Sequence, residues 1–333
     1  MLWATLTTAL VLLSARKRAG ACPRASFQKA TYSFVLFSKS DRTPSYLRTP
    51  HYSNFGGLTV YYRHSLPYRY PARSDEHMIT VKKKRDTNFD EHFPYLPRGA
   101  KKVFLRSTFF LAFHLLAFPV CRVRYGVRYF GRENYKRNKE LFQNGAITVS
   151  NHVFLWDYLC ILGAIRPHLP YFPAWQTNFE GPLAGLIRWS GGIPVPTHSH
   201  RAMRKWHGAM EELLDGGKWI HFFPEGSMWW FYPNLRPLKI QVFRYAAKAG
   251  KPILPVTLSF RPRRGIFRLF GKSPLVDVHI GPPQLADPSL GVWEAAEELR
   301  GRVAALMQEG LGVLPEAEGY LQSHEIDAYV KTM

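Results

Sequence analysis

Acidic side chains are scarce in this sequence. In 333 residues, 24 Asp+Glu stand against 45 Lys+Arg, giving a formal net charge of +21 and a pI near 10.0. That imbalance calls for a polyanionic partner, either nucleic acid or an anionic membrane face. Cysteine is scarcer still. The 3 present, Cys22, Cys121 and Cys160, are too scattered for a disulfide framework or a zinc-ligand set, which fits a reducing compartment. No uninterrupted apolar run reaches the roughly 20 residues of a clean spanning helix. Internal repeats are missing, and so is the G-x-S-x-G pattern of a serine nucleophile. With 46% hydrophobic residues, a wholly disordered chain is excluded, and the length allows one large packed domain or two smaller ones.

The charge has a location. Residues 1–150 hold 26 Lys+Arg and 8 Asp+Glu, whereas residues 151–333 hold 19 and 16. The first 14 residues are apolar, but Arg16-Lys17-Arg18 follow rather than precede them, unlike a secretory signal. They read as a weak anchor or as residues from an upstream start codon. Up to residue 99 the chain is basic and aromatic-rich, an extension expected to be partly disordered. Its interleaved Tyr and Arg suit single-stranded nucleic acid or a lipid interface, and no RRM or KH signature supports the former. No nucleic-acid partner is therefore expected.

Residues 100–122 hold the most apolar stretch, VFLRSTFFLAFHLLAFPV, between Lys101-Lys102 and Arg122, Arg124 and Arg128. Cations on both sides point to a helix lying in or dipping into one leaflet, with Pro119 as its stop. An ordinary buried helix is the alternative. Beyond it, Val123, Tyr125, Val127 and Tyr129 alternate as a half-buried strand would. Strands are then expected at 146–150, 192–195, 219–223, 253–260 and 276–280. Helices are expected at 134–142, 155–165, 202–214, 239–249 and 292–307. The pattern predicts an α/β fold, a largely parallel sheet flanked by helices behind an N-terminal membrane-associated helical motif. The α/β domain is assigned to residues 123–310 and a tail to 311–333.

The strand at 146–150 runs into Ser150-Asn151-His152, and Asp157 follows as a helix begins. A carboxylate on one imidazole nitrogen fixes the tautomer and leaves the other nitrogen to take a proton. Another strand runs into Phe222-Phe223-Pro224-Glu225-Gly226-Ser227, where a carboxylate and a glycine suit a polar substrate group. Gly191-Gly192-Ile193-Pro194-Val195 and Pro252-Ile253-Leu254-Pro255-Val256 read alone as turns feeding core strands. His198, His200 and His207 lack the carboxylate or cysteine that would complete a metal site, so no metal or other cofactor is expected.

Taken in order, NHxxxxD, GxIPV, FPEG and PILPV, preceded by Gly131-Arg132-Glu133-Asn134, resemble the glycerolipid acyltransferase family, of which the 1-acylglycerol-3-phosphate acyltransferases are members. The resemblance covers roughly residues 100–310. It implies that His152 is the base activating the acceptor hydroxyl, with Asp157 its orienting partner. It implies that Glu225 and Gly226 bind the acceptor, joined by Asn151, Ser227 and Lys239. Acyl-CoA or acyl carrier protein would be the donor, a lysophospholipid the acceptor and an anionic membrane surface the partner. The expected location is the cytoplasmic face of the cell membrane.

Two departures bear on the acceptor. The family commonly continues FPEG with threonine and arginine, where this chain has Ser227-Met228, and Pro196-Thr197 stand where the second block commonly ends in arginine. Among Arg201, Arg204, Arg236 and Lys239, the lysine is the expected substitute phosphate ligand. The losses keep two alternatives open: an acceptor without a phosphate, such as an aminolipid or glycolipid, and a non-catalytic basic protein that binds membrane or nucleic acid.

Overall fold

The computed structural model describes residues 70–71, 73–78, 86–271 and 273–312, all within the unit Pro50–Met333. The apolar run at 1–14, the aromatic stretch up to residue 69, the Lys82-Lys83-Lys84-Arg85 run and the tail from 313 lie outside the described residues.

Helix α1 (Ala100–Ala112) passes through a π-helical segment (Phe113–Ala117) into α2 (Phe118–Tyr125). Pro119 therefore does not stop the helix. It sits in the first turn of α2, after a widened π turn, where a missing N–H and a bulky ring are best tolerated. The alternation from Val123 is not a strand either. Cys121 and Tyr125 form the buried face of α2, Val123 is exposed, and Gly126 ends the helix in a left-handed conformation. Only β1 (Arg128–Phe130) remains of the expected strand.

After α3 (Arg132–Arg137) and a 3-10 turn (Lys139–Phe142) the order is β2 (Ile147–Ser150), α4 (Asp157–Ala164) and β3 (Phe172–Trp175). Next come α5 (Thr177–Glu180), α6 (Ala184–Ser190), β4 (Gly192–Val195), α7 (His200–Asp215) and β5 (Ile220–Phe222). The chain continues through α8 (Gln241–Ala249), β6 (Ile253–Arg261), a 3-10 turn (Gly265–Phe270), β7 (Leu275–Ile280) and α9 (Val292–Leu311). Ser199 caps α7 by accepting a hydrogen bond from the Ala202 amide at 3.2 Å, and this fixes the helix start two residues before the apolar periodicity does.

The main sheet has the order β1-β7-β6-β2-β5. β2 pairs in parallel with β5, Val149 opposite Phe222, and with β6, Ser150 opposite Val256. These strands are buried on both faces because helices cover both: α7, α8 and α9 on one side, α4 on the other. β7 runs antiparallel to β6, and β1 parallel to β7. The small parallel pair β3–β4 joins the edge through a bridge between Tyr171 and Ile220. β3 escapes sequence reading because its four residues, Phe-Pro-Ala-Trp, are too short and irregular to show alternation.

This topology gathers loops at one edge. The carboxyl ends of β2, β5 and β6 share it, and β7 and β1, running the other way, begin there. The loop after β2, the turn after β5, the Gly265–Phe270 turn and the end of α2 all lie along that edge.

Candidate active site

His152 lies two residues beyond β2, and Phe223 to Gly226 follow β5. Because the two strands are parallel neighbours, their loops emerge side by side. Asp157 opens α4 and is buried at the positive end of that helix. Its Oδ1 accepts the Tyr158 amide at 2.7 Å, and its Oδ2 accepts the Val153 amide at 3.1 Å and lies 2.6 Å from His152 Nδ1. A carboxylate so held only accepts, so Nδ1 carries the proton and the neutral ring presents a lone pair at Nε2. The imidazole stacks on Phe223, centroids 4.0 Å apart, and its side chain is 26% exposed.

Glu225 is buried and its carboxylate is fully engaged within the protein. Oε2 accepts from the His152 amide at 2.9 Å and from Arg236 Nη2 at 2.7 Å, and Oε1 accepts from the Arg236 amide at 2.9 Å. Sequence reasoning placed Arg236 only among nearby cations. Its side chain is in fact fully buried and lies over the Trp229 ring, the guanidinium carbon 4.5 Å from the centroid. It donates to the carbonyl and hydroxyl oxygens of Ser227 and, at 2.7 Å, to the Ser74 carbonyl. The only signal for this burial is the apolar character of Trp229, Trp230, Phe231 and Tyr232 just before it.

A second group missed by sequence comes from far upstream. Ser74 also accepts from the Ser227 hydroxyl at 3.0 Å, and Glu76 accepts the Trp229 indole N–H at 2.9 Å, both through main-chain oxygens. Tyr70 stacks on Trp229 and donates to the Trp230 carbonyl, and His77 stacks on Trp175 at 4.4 Å. Residues 70–71 and 73–78 thus form one wall of the cleft. Arg73, Ser74 and Asp75 line a cavity of about 290 Å³ together with Glu225, Pro237, Leu238 and Lys239.

The other expected residues fall as follows. Lys239 is exposed at that cavity, beside Gly226. Gly226 has φ +81°, which favours glycine at the turn, and a Cβ there would stand 2.6 Å from Lys239 Nζ and displace the lysine's end. Asn151 is buried and spends its amide on Leu258, donating to its carbonyl at 2.9 Å and accepting its amide at 2.8 Å. It ties the end of β2 to β6. Ser227 is buried under the wall, and Met228, where the family commonly has arginine, is buried too. Among the described residues no group of three or more His, Cys, Asp or Glu is placed to hold a metal ion.

Two histidines beside the site are held neutral. Burial pushes His221 down to about 3, and His77 falls to about 4 chiefly through burial, with the charges of Lys239 and Arg236 adding to it. His221 lies beneath the loop, its Nδ1 2.9 Å from the Thr148 hydroxyl. The unfolded chain binds these protons below about 6.5, whereas the folded chain refuses them until about pH 3–4. Their contribution is therefore full above pH 6.5 and lost as pH falls toward 4. We expect His221→Gln to flatten the acid limb of a melting temperature against pH curve between pH 6.5 and 4.5. An unchanged slope would remove His221 from the acid response.

Residues 126–259 match the family model described as Acyltransferase. The crystal structure of the 1-acyl-sn-glycerophosphate (LPA) acyltransferase PlsC from Thermotoga maritima is similar to this chain at 24% identity and a TM-score of 0.45, covering 66% of this chain and 83% of that one. A search of curated proteins returns no match.

Proposed function

We propose that the chain, whose residues 126–259 match the Acyltransferase family model, is a membrane-associated O-acyltransferase of phospholipid biosynthesis. It moves a fatty acyl chain from acyl-CoA or acyl carrier protein to the hydroxyl of a lysophospholipid resembling 1-acylglycerol-3-phosphate, at the cytoplasmic face of the membrane. The observation that carries this reading is the 2.6 Å contact between His152 Nδ1 and Asp157 in a partly open cleft.

In this mechanism Nε2 takes the proton of the acceptor hydroxyl as its oxygen attacks the thioester carbonyl. The tetrahedral intermediate collapses, the C–S bond breaks, and the leaving sulfur takes the proton from the imidazolium, which returns Nε2 to its neutral form. Asp157 holds the tautomer and stabilises that imidazolium. Glu225 acts from below: it accepts the His152 amide, so it positions the base. Gly226 and Lys239 face the acceptor, with Lys239 as the phosphate ligand at the rim of the cavity.

A second reading is favoured by one observation. Met228 is buried, so the cation expected on that turn is missing from the cleft, which suits an acceptor without a phosphate. A thioester-release assay separates the two across lysophosphatidate, lysophosphatidylethanolamine and monoacylglycerol. Lysophosphatidate is expected to be the best acceptor, and Lys239→Ala to raise its KM about tenfold with a much smaller change in kcat, as loss of a charged hydrogen bond would. Preference for monoacylglycerol, with Lys239→Ala indistinguishable from wild type, would move the acceptor to the neutral class.

A further inference from the structure

The apolar helix is only half covered. One face of α1–α2 buries Phe109, Phe113, Phe118, Cys121 and Tyr125 against Tyr158, Leu162, Phe172 and Phe154. The opposite face exposes Phe104 (68%), Leu111, Leu115 (65%), Leu116 and Val123. Arg106, the charge interrupting the run, turns inward, donating to the Leu169 carbonyl at 2.7 Å and stacking on Tyr171. The stripe that remains is uncharged, as a face in contact with acyl chains should be.

A second apolar element stands beside it, and neither the family match nor the helical motif includes it. The Gly265–Phe270 turn between β6 and β7 has no buried residue and exposes Ile266 (66%), Leu269 (81%) and Phe270. It is tied to the end of α2. Arg263 donates to the Arg124 carbonyl at 2.6 Å and to the Phe267 carbonyl at 2.8 Å, and Phe267 lies against Gly126. Such a turn in water would be a liability, yet it is braced by an arginine rather than folded inward.

The charges around both elements have one sign. Residues 99–132 contain no Asp or Glu, and neither do residues 261–276, which carry Arg261, Arg263, Arg264 and Arg268. Arg122, Arg264 and Arg268 are exposed beside the apolar tips. Exposed apolar side chains with the exposed arginines Arg122, Arg264 and Arg268 close in sequence match the boundary between acyl chains and anionic headgroups.

We infer that the Gly265–Phe270 turn is a second membrane anchor, inserting Ile266, Leu269 and Phe270 into an anionic leaflet alongside α1–α2. The inference rests on the membrane reading of that helix and adds a site to it. Two contacts at separate points fix the orientation of the domain on the surface, which one helix lying in the plane leaves free to roll.

Flotation of the full-length protein with vesicles of phosphatidylcholine and phosphatidylglycerol tests this. Leu269→Ser and Ile266→Ser are each expected to weaken vesicle partitioning on the order of tenfold, since each removes one inserted aliphatic side chain. Arg264→Ser with Arg268→Ser should weaken it further and reduce its salt sensitivity. Melting temperatures should not change, because these side chains bury nothing in the fold. A polarity-sensitive fluorophore attached through Leu269→Cys should shift to the blue on adding vesicles. Variants that float like wild type, or a label that stays in water, overturn this inference alone. A wild-type protein that does not float overturns the membrane reading on which it rests. Lipid-free dimers abolished by Leu269→Glu would assign the patch to a second copy and overturn it too.

Discussion

Replacing His152 by alanine is expected to lower kcat by about a thousandfold, or about 4 kcal/mol in the barrier, while acceptor KM moves little. Removing the base leaves a hydroxyl that must attack at its own high pKa, so the loss falls on the chemical step. The cleft itself remains, because the ring contributes a stacking face to Phe223 and no hydrogen bond beyond that to Asp157. Asp157→Asn should cost nearly as much. Its amide would present N–H toward Nδ1 and force the proton onto Nε2, the wrong nitrogen for a base. Single-turnover acyl transfer with the purified variants measures both losses. Full activity in His152→Ala would sink the dyad mechanism.

The second large effect is on stability. Arg236→Met leaves the Glu225 carboxylate buried without its cation, and breaking one side of such a pair costs about 3–5 kcal/mol. For a domain of this size that is about 10 °C in melting temperature. The double variant Glu225→Leu with Arg236→Met removes the stranded charge and should regain most of that loss. Activity should not rise with it, because the Glu225→Leu change takes away the acceptor of the His152 amide. Thermal melts and kcat measured on the same samples separate the two roles. If activity recovers along with stability, the pair only holds the fold and does not position the base.

Particular residues show why some features were legible in sequence. β2, β5 and β6 are short, mostly apolar segments closed by turn residues, and their buried, parallel placement follows from that composition. α7 and α8 end at the glycines that close them, whereas α7 begins two residues early at its Ser199 cap, α8 begins two residues late, and α9 runs four residues past its expected end. His152 and Asp157 were found because both sides of their contact lie within one loop. Arg236 and residues 70–71 and 73–78 were not. Their partners are 9 to 162 positions away, and three of the contacts that seat the upstream wall use main-chain carbonyls, which leave no trace in side-chain identity. The helix through Pro119 failed for a different reason, since a π turn shifts the face that periodicity assumes.

The shared edge of the sheet also bears on kinetics. The anchors and the His152 loop sit along one side of the molecule, so a chain docked as inferred holds its base near headgroup depth. An acceptor then meets the enzyme by lateral diffusion, without leaving the bilayer. Its effective concentration is the mole fraction of acceptor in the surface, so inert lipid acts as a diluent at constant bulk concentration. The reaction becomes two-dimensional for the acceptor while a water-soluble thioester donor still arrives in three.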